Sequence, residues 1–204
     1  MISSLISQPL IILLRISKGN LDKLYLEDII CLINSLISCD IKNIEIAWSA
    51  HPNWVPFIKE LKKQFPDISF GAASLTDPRS LEAIAELDFK FSMSPFWDLN
   101  LQLRARELGQ LVVPGVFSPS EIQQAINFGH RAIKIFPASL LGISYLNQIK
   151  AAFHPIPFFI AAGGMKIKDI NSWLANGYGA IILGRELIKN CQINPDLKTW
   201  LKGK

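Results

Sequence analysis

Short apolar runs alternate with amphipathic stretches along the whole chain, and this pattern limits the possible folds more than any other feature. The runs fall at residues 9–15, 43–47, 69–74, 90–94, 111–113, 132–136, 157–161 and 180–183. Helical patterns lie between and after them, at residues 21–38, 54–65, 78–87, 99–108, 119–128, 144–153, 167–176 and 185–189. Aliphatic runs with little polar alternation are what parallel strands need when both of their faces are buried. Eight strand–helix pairs in 204 residues predict one α/β domain over residues 1–204, a (β/α)8 barrel of the TIM type. A doubly wound open sheet is the alternative that the pattern allows. No repeat or linker divides the chain, and the tail beyond Cys191, with Trp200, predicts a short terminal helix on the barrel or on a neighbour.

Two positions break the aliphatic rule. In Ala132-Ile133-Lys134-Ile135-Phe136, side chains alternate between faces, so Lys134 shares a face with Ala132 and Phe136. Ammonium groups are rarely buried without a partner, and desolvation favours the neutral amine. A neutral amine attacks ketones and aldehydes to form a Schiff base. In Asn43-Ile44-Glu45-Ile46-Ala47 the isoleucines face one side and Glu45 the other. Arg15 closes the first run after Leu10 to Leu14. These three groups, on three strands, are expected to converge near the barrel mouth. Lys134 would then act as nucleophile, Glu45 as proton carrier and Arg15 as a fixed cation for a carboxylate or phosphate. A structural ion pair between Lys134 and Glu45 is the competing reading.

Pro95, Pro114-Gly115, Pro137 and Gly163-Gly164 follow strands at their carboxyl ends, the face that carries the chemistry in such barrels. Gly163-Gly164 follows the seventh strand, and Gly184-Arg185 follows the eighth and directly precedes a predicted helix. Such loops often hold phosphate through backbone N–H groups, although a Gly-Gly pair also serves as a plain turn.

Composition narrows the function classes. Half the residues are hydrophobic and 19% are charged, which excludes a disordered chain. The formal charge is +4 and the lysines are scattered, so no nucleic-acid footprint is expected, while a mild positive field suits anionic metabolites. Cys31, Cys39 and Cys191 have no metal-ligand spacing, and reduced thiols are expected. The apolar start lacks a basic n-region, because its first charge, Arg15, comes after the apolar run. No run is long enough to span a membrane. A soluble cytoplasmic protein that uses no cofactor and no metal is the expectation.

The motifs resemble those of the 2-keto-3-deoxy-6-phosphogluconate aldolase family, class I aldolases that include 6-phosphogalactonate and 4-hydroxy-2-oxoglutarate enzymes. Lys134-Ile135-Phe136-Pro137-Ala138 is similar to the family's Schiff-base segment, and Ile44-Glu45-Ile46 to the strand with its catalytic glutamate. Leu10 to Arg15, Gly71-Ala72-Ala73-Ser74-Leu75, Phe91-Ser92-Met93-Ser94-Pro95, Val113-Pro114-Gly115 and Ala162-Gly163-Gly164 continue the resemblance in order. It implies a (β/α)8 barrel, a homotrimer and no metal. It also implies cleavage of a phosphorylated 2-keto-3-deoxy sugar acid to pyruvate and glyceraldehyde 3-phosphate. Lys134 and Glu45 would be catalytic. Arg15, Ser74, Pro95 and Phe136 would line the pyruvoyl pocket, with Gly163, Gly164, Gly184 and Arg185 at the phosphate.

Several positions depart from the family pattern. Ser49 stands where many gluconate-type members have arginine and galactonate-type members a neutral polar residue. Ala73 replaces a usual glycine, Ser74 a threonine, Phe96 a glycine or asparagine, and Arg185 a serine linked to phosphate. A 4-hydroxy-2-oxoglutarate aldolase yielding pyruvate and glyoxylate is one alternative, and a catalytically degenerate barrel with a binding role is another.

Overall fold

Helical crossovers return the chain to the same end of the sheet, so successive strands pair in parallel. The computed structural model describes residues 1–89, 91–184, 187–189 and 192–203. Its strands are β1 (Leu10–Leu14), β2 (Asn43–Ala47), β3 (Ser69–Ala73), β4 (Phe91–Met93), β5 (Val112–Val113), β6 (Gly115–Val116), β7 (Ala132–Ile135), β8 (Phe158–Ala162) and β9 (Ala180–Leu183). They pair in parallel in the order β5-β4-β3-β2-β1-β9-β8-β7-β6. The two ends of that order, β5 and β6, are separated in sequence by Pro114 alone. The sheet therefore closes on itself. Ser94 N–H donates to the Val113 carbonyl at 3.1 Å on one side, and Lys134 N–H donates to the Pro114 carbonyl at 2.9 Å on the other. Proline has no N–H to add to the ladder, so one strand position is interrupted there. The result is a nearly closed parallel barrel, not the open sheet.

Alternation then divides the side chains. Ile11, Phe91, Met93, Val113, Ala132, Ile160, Ala162, Ala180 and Ile182 form the inner cluster. Ile12, Ile44, Ile46, Phe70, Ile133, Ile135, Phe159 and Ile181 belong instead to the larger cluster beneath the helices. A short helix before the first strand, α1 (Ile2–Ser7), closes the floor: Leu5 joins the inner cluster and Ser4 Oγ donates to Asn43 Oδ1 at 2.8 Å. The sequence reading assigned no structure to that segment.

The predicted helix at 21–38 is two helices, α2 (Lys18–Lys23) and α3 (Glu27–Ile37), because Leu24 adopts a left-handed conformation that ends the first. The outer layer continues with α4 (Trp54–Gln64), α5 (Pro78–Ala85), α6 (Leu99–Glu107) and α7 (Pro119–Phe128). Asp77 and Asp98 cap α5 and α6, and Ser118 with Glu121 forms a capping box on α7. Beyond β7 lie α8 (Ala138–Leu141), α9 (Tyr145–Ile149) and α10 (Ile170–Ala175).

The helix expected at 185–189 is not seen in the described part of that span, residues 187–189. Its described residues instead make an antiparallel ribbon, β10 (Ile188–Lys189) with β11 (Gln192–Ile193). So short a segment gains too few helical hydrogen bonds to offset nucleation, whereas the ribbon leaves Leu187 and Ile193 buried. The terminal helix α11 (Pro195–Lys202) packs on its own barrel, where Trp200 Nε1 donates to Asn171 Oδ1 at 2.7 Å. Among the described residues, no helix is long and apolar enough to cross a membrane.

Candidate active site

On β2 and β7 the residues flanking Glu45 and Lys134 point into the outer cluster, so both charged side chains point into the barrel. Glu45 is 1% exposed and Lys134 6% exposed. Each stands beside a glycine on its neighbouring strand, Glu45 opposite Gly71 and Lys134 opposite Gly115. A side chain at Gly71 would run into the Phe91 ring, and one at Gly115 into the Pro95 carbonyl. These glycines let the Phe91 ring pack against β3 and the Pro95 backbone against β6, beside the two charges. The sequence reading quoted Gly71 only as part of a motif, and Gly115 as part of one and as a strand-end turn. A glycine in the middle of an otherwise aliphatic strand was the available signal.

Burial sets the electrostatics. Desolvation raises the Glu45 carboxyl to about 7, with the positive charge of Lys134 acting in the opposite direction. Desolvation lowers the Lys134 amine to about 8; Glu45 opposes that shift and Arg15 adds to it. Glu45 Oε1 has no hydrogen-bond partner among the described residues, which leaves a buried acceptor for a hydroxyl or water. Lys134 Nζ lies 5.6 Å from the centroid of the Phe136 ring, close enough for a cation–π contact. Arg15 follows β1 on the inward register of Ile11 and Leu13 and is itself exposed. The three charged groups expected to meet are thus electrostatically joined. Together they pair an amine that loses its proton readily with a carboxyl that holds and releases one near neutrality.

The other expected residues occupy the same rim. Ser74, Pro95 and Phe136 are half-buried just beyond β3, β4 and β7. Ser74 has a φ of +62°, a strained value for a residue with a side chain, and such strain concentrates at functional sites. Gly163 and Gly164 have φ values of +87° and +76° and turn tightly against the β7 loop, where Ser139 N–H donates to the Gly163 carbonyl at 3.2 Å. Gly184 directly follows β9, and Leu187 N–H donates to its carbonyl at 3.2 Å. Among the described residues that follow it, Ile188–Lys189 form a strand, and the helix expected there is not seen. Arg185 lies outside the described residues.

Ala73 is buried, Phe96 is 43% exposed on the rim, and Ser49 Oγ accepts from His51 N–H at 3.3 Å. The sequence reading passed over His51, whose Nε2 lies 2.8 Å from Asp22 Oδ1 and ties the loop after β2 to α2. No group of three or more His, Cys, Asp or Glu is placed to hold a metal ion among the described residues.

Comparison with known proteins accords with this geometry. The chain is 25% identical over 158 residues to the 2-dehydro-3-deoxy-6-phosphogalactonate aldolase of Escherichia coli, covering 77% of each. It is 31% identical over 120 residues to the 2-dehydro-3-deoxy-phosphogluconate aldolase of Pseudomonas aeruginosa, covering 58% of this chain and 54% of that one. The fold matches the KDPG aldolase of Legionella pneumophila, captured with pyruvate as a covalent carbinolamine. The TM-score is 0.80 at 22% identity, over 98% of this chain and 96% of the other. The family model described as KDPG and KHG aldolase matches residues 14–199. With nearly the whole barrel inside that match, the chain belongs to the KDPG and KHG aldolase family.

Proposed function

We propose that the chain is a Schiff-base aldolase that cleaves a phosphorylated 2-keto-3-deoxy sugar acid, of gluconate or galactonate type, to pyruvate and glyceraldehyde 3-phosphate. The observation that carries this reading is Lys134, buried inside the barrel beside Glu45 with its charged form disfavoured. Membership of a family of class I pyruvate aldolases supports it.

Neutral Lys134 Nζ adds to the C2 carbonyl, and the carbinolamine oxygen leaves as water with a proton from Glu45. The resulting iminium is an electron sink. Glu45 then takes the proton of the C4 hydroxyl, and the C3–C4 electron pair flows to the nitrogen as the aldehyde departs. The proton returns to C3, and water releases pyruvate. Arg15 holds the C1 carboxylate, while Ser74, Pro95 and Phe136 enclose the pyruvoyl group. Gly163, Gly164, Gly184 and Arg185 flank the phosphate. By the same resemblance the working assembly is a cytoplasmic homotrimer.

One observation favours a shorter substrate, 4-hydroxy-2-oxoglutarate: among the described residues that follow Gly184, Ile188–Lys189 form a strand and not the helix that would receive a phosphate. Incubation with pyruvate and borohydride, followed by peptide mapping, tests the shared chemistry. An adduct confined to Lys134 is expected, and a chain that forms none is a binding barrel and no aldolase. Comparing kcat/KM for the phosphorylated and the glyoxylate-yielding substrates then separates the two readings.

A further inference from the structure

The segment that follows β2, residues 48–53, folds around one histidine. Trp48 N–H donates to the Ala73 carbonyl at 2.8 Å, so the ladder with β3 runs one residue past β2. The Trp48 ring packs on the outer cluster, edge to face with Trp54. Alternation then returns Ser49 to the inward side, on the register of Glu45 and Ala47, and it is half-buried at the barrel mouth. His51 N–H donates to Ser49 Oγ at 3.3 Å, and Asn53 N–H donates to His51 Nδ1 at 3.1 Å. The ring's Nε2 lies 2.8 Å from Asp22 Oδ1 on α2.

These contacts fix where the ring carries its hydrogen. A backbone N–H can only donate, so Nδ1 presents its lone pair to Asn53, and Nε2 carries the hydrogen that goes to the Asp22 carboxylate. Both nitrogens are engaged, and neither is free to move a proton for a substrate. The ring instead sets the turn that holds Ser49. Ser49 Oγ receives the His51 N–H, while its own hydroxyl hydrogen has no acceptor among the described residues. A donor thus stands at the mouth on the strand that carries Glu45. Asn53 Nδ2 also donates to the Leu21 carbonyl at 3.0 Å, which ties the segment to α2 independently of the ring.

We propose that His51 is a positioning residue for the distal, aldehyde-forming half of the substrate. Held by Asp22, it sets the turn that presents the Ser49 hydroxyl as a hydrogen-bond donor to a substrate hydroxyl. This role rests on the aldolase reading above and deepens it. A phosphorylated keto-deoxy sugar acid carries a further hydroxyl beyond C4 for Ser49 to bind, and 4-hydroxy-2-oxoglutarate carries none. A single uncharged donor suits that neutral oxygen, and the three-residue relay from Asp22 through His51 to Ser49 fixes its place without touching Lys134 or Glu45.

Asp22 is exposed, so its replacement frees the ring and leaves the core intact. In steady-state cleavage of the phosphorylated gluconate-type and galactonate-type acids, Asp22→Leu should raise KM for the better substrate by about threefold to tenfold, the size of one neutral hydrogen bond, with kcat nearly unchanged. Its pyruvate adduct at Lys134 should form as in the unaltered chain, because pyruvate has no distal half. Asp22→Asn keeps an oxygen acceptor for Nε2 and should restore most of the affinity. Ser49→Ala should show a similar loss, and Ser49→Ala combined with Asp22→Leu no more than either alone. Nitrogen NMR at mildly alkaline pH should find the His51 hydrogen on Nε2. Additive losses, an equal rise in KM for 4-hydroxy-2-oxoglutarate, a hydrogen on Nδ1, or an unchanged KM in Asp22→Leu would each overturn this role alone. So would a chain that traps pyruvate yet cleaves neither phosphorylated acid. A chain that forms no adduct would remove the aldolase reading itself, and this role with it.

Discussion

Replacing Glu45 by Gln removes the negative charge that opposes burial at Lys134 while keeping the side chain's shape. With the amine at about 8, roughly one molecule in ten carries neutral Lys134 at pH 7. A neighbouring charge typically moves a titration by about 1–3 units. Its loss should therefore shift Lys134 downward by at least about one unit, to near 7, making the amine about half neutral at that pH. The pH profile of pyruvate trapping by borohydride reads this directly, since its alkaline-rising limb follows the neutral amine. In Glu45→Gln that limb should move towards acid, whatever its height. Turnover should fall by at least ~10²-fold, about 2.7 kcal/mol of transition-state stabilisation, because the proton carrier is gone. A limb that stays near 8 or moves up would refute the electrostatic link. Unchanged turnover would assign proton transfer to another group.

Three further outcomes are expected. Folded Glu45 keeps a proton that the unfolded chain loses between pH 4.5 and about 7, so its contribution to stability falls as pH rises through that window. Folded Lys134 has lost a proton that the unfolded chain keeps between about 8 and 10.5, so stability recovers as pH rises there. Either shift alone corresponds to about 3 kcal/mol, and the double variant Glu45→Met with Lys134→Met should be more stable in urea at pH 7.5; a less stable one would contradict the sign. Leu5→Ala should cost about 2–5 kcal/mol by emptying the barrel floor, measured by urea unfolding, and a loss under ~1 kcal/mol would mean that α1 does not close it. Gly115→Ala places a methyl group against the Pro95 carbonyl and should cost about 1–3 kcal/mol with reduced pyruvate trapping; unchanged values would show the rim to be pliant.

Much of the architecture was legible along the chain. The runs at 43–47 and 180–183 coincide with β2 and β9, and the pattern at 119–128 with α7, whose Ser118 and Glu121 announce its start. The split between α2 and α3 was not legible, because Leu24 in a left-handed conformation carries none of the usual glycine or asparagine signal. The ribbon in place of a helix after Gly184 was missed for a related reason: a few residues of mixed polarity fit either period, and the partner strand decides.

The candidate site divides in the same way. Local alternation alone put Lys134 and Glu45 on inward faces, since a side chain's direction on a strand depends only on its register. Everything that makes those positions reactive comes from residues distant in sequence. Gly115 meets Pro95, Gly71 meets Phe91, Leu5 seals the floor against β-strand residues across the barrel, and Arg15 is carried to Lys134 by closure at Pro114. Sequence by itself determined which side chains face inward. Only the closed barrel decided how dry their surroundings are and which charges they meet, because desolvation and Coulomb interaction depend on distances that no single segment sets.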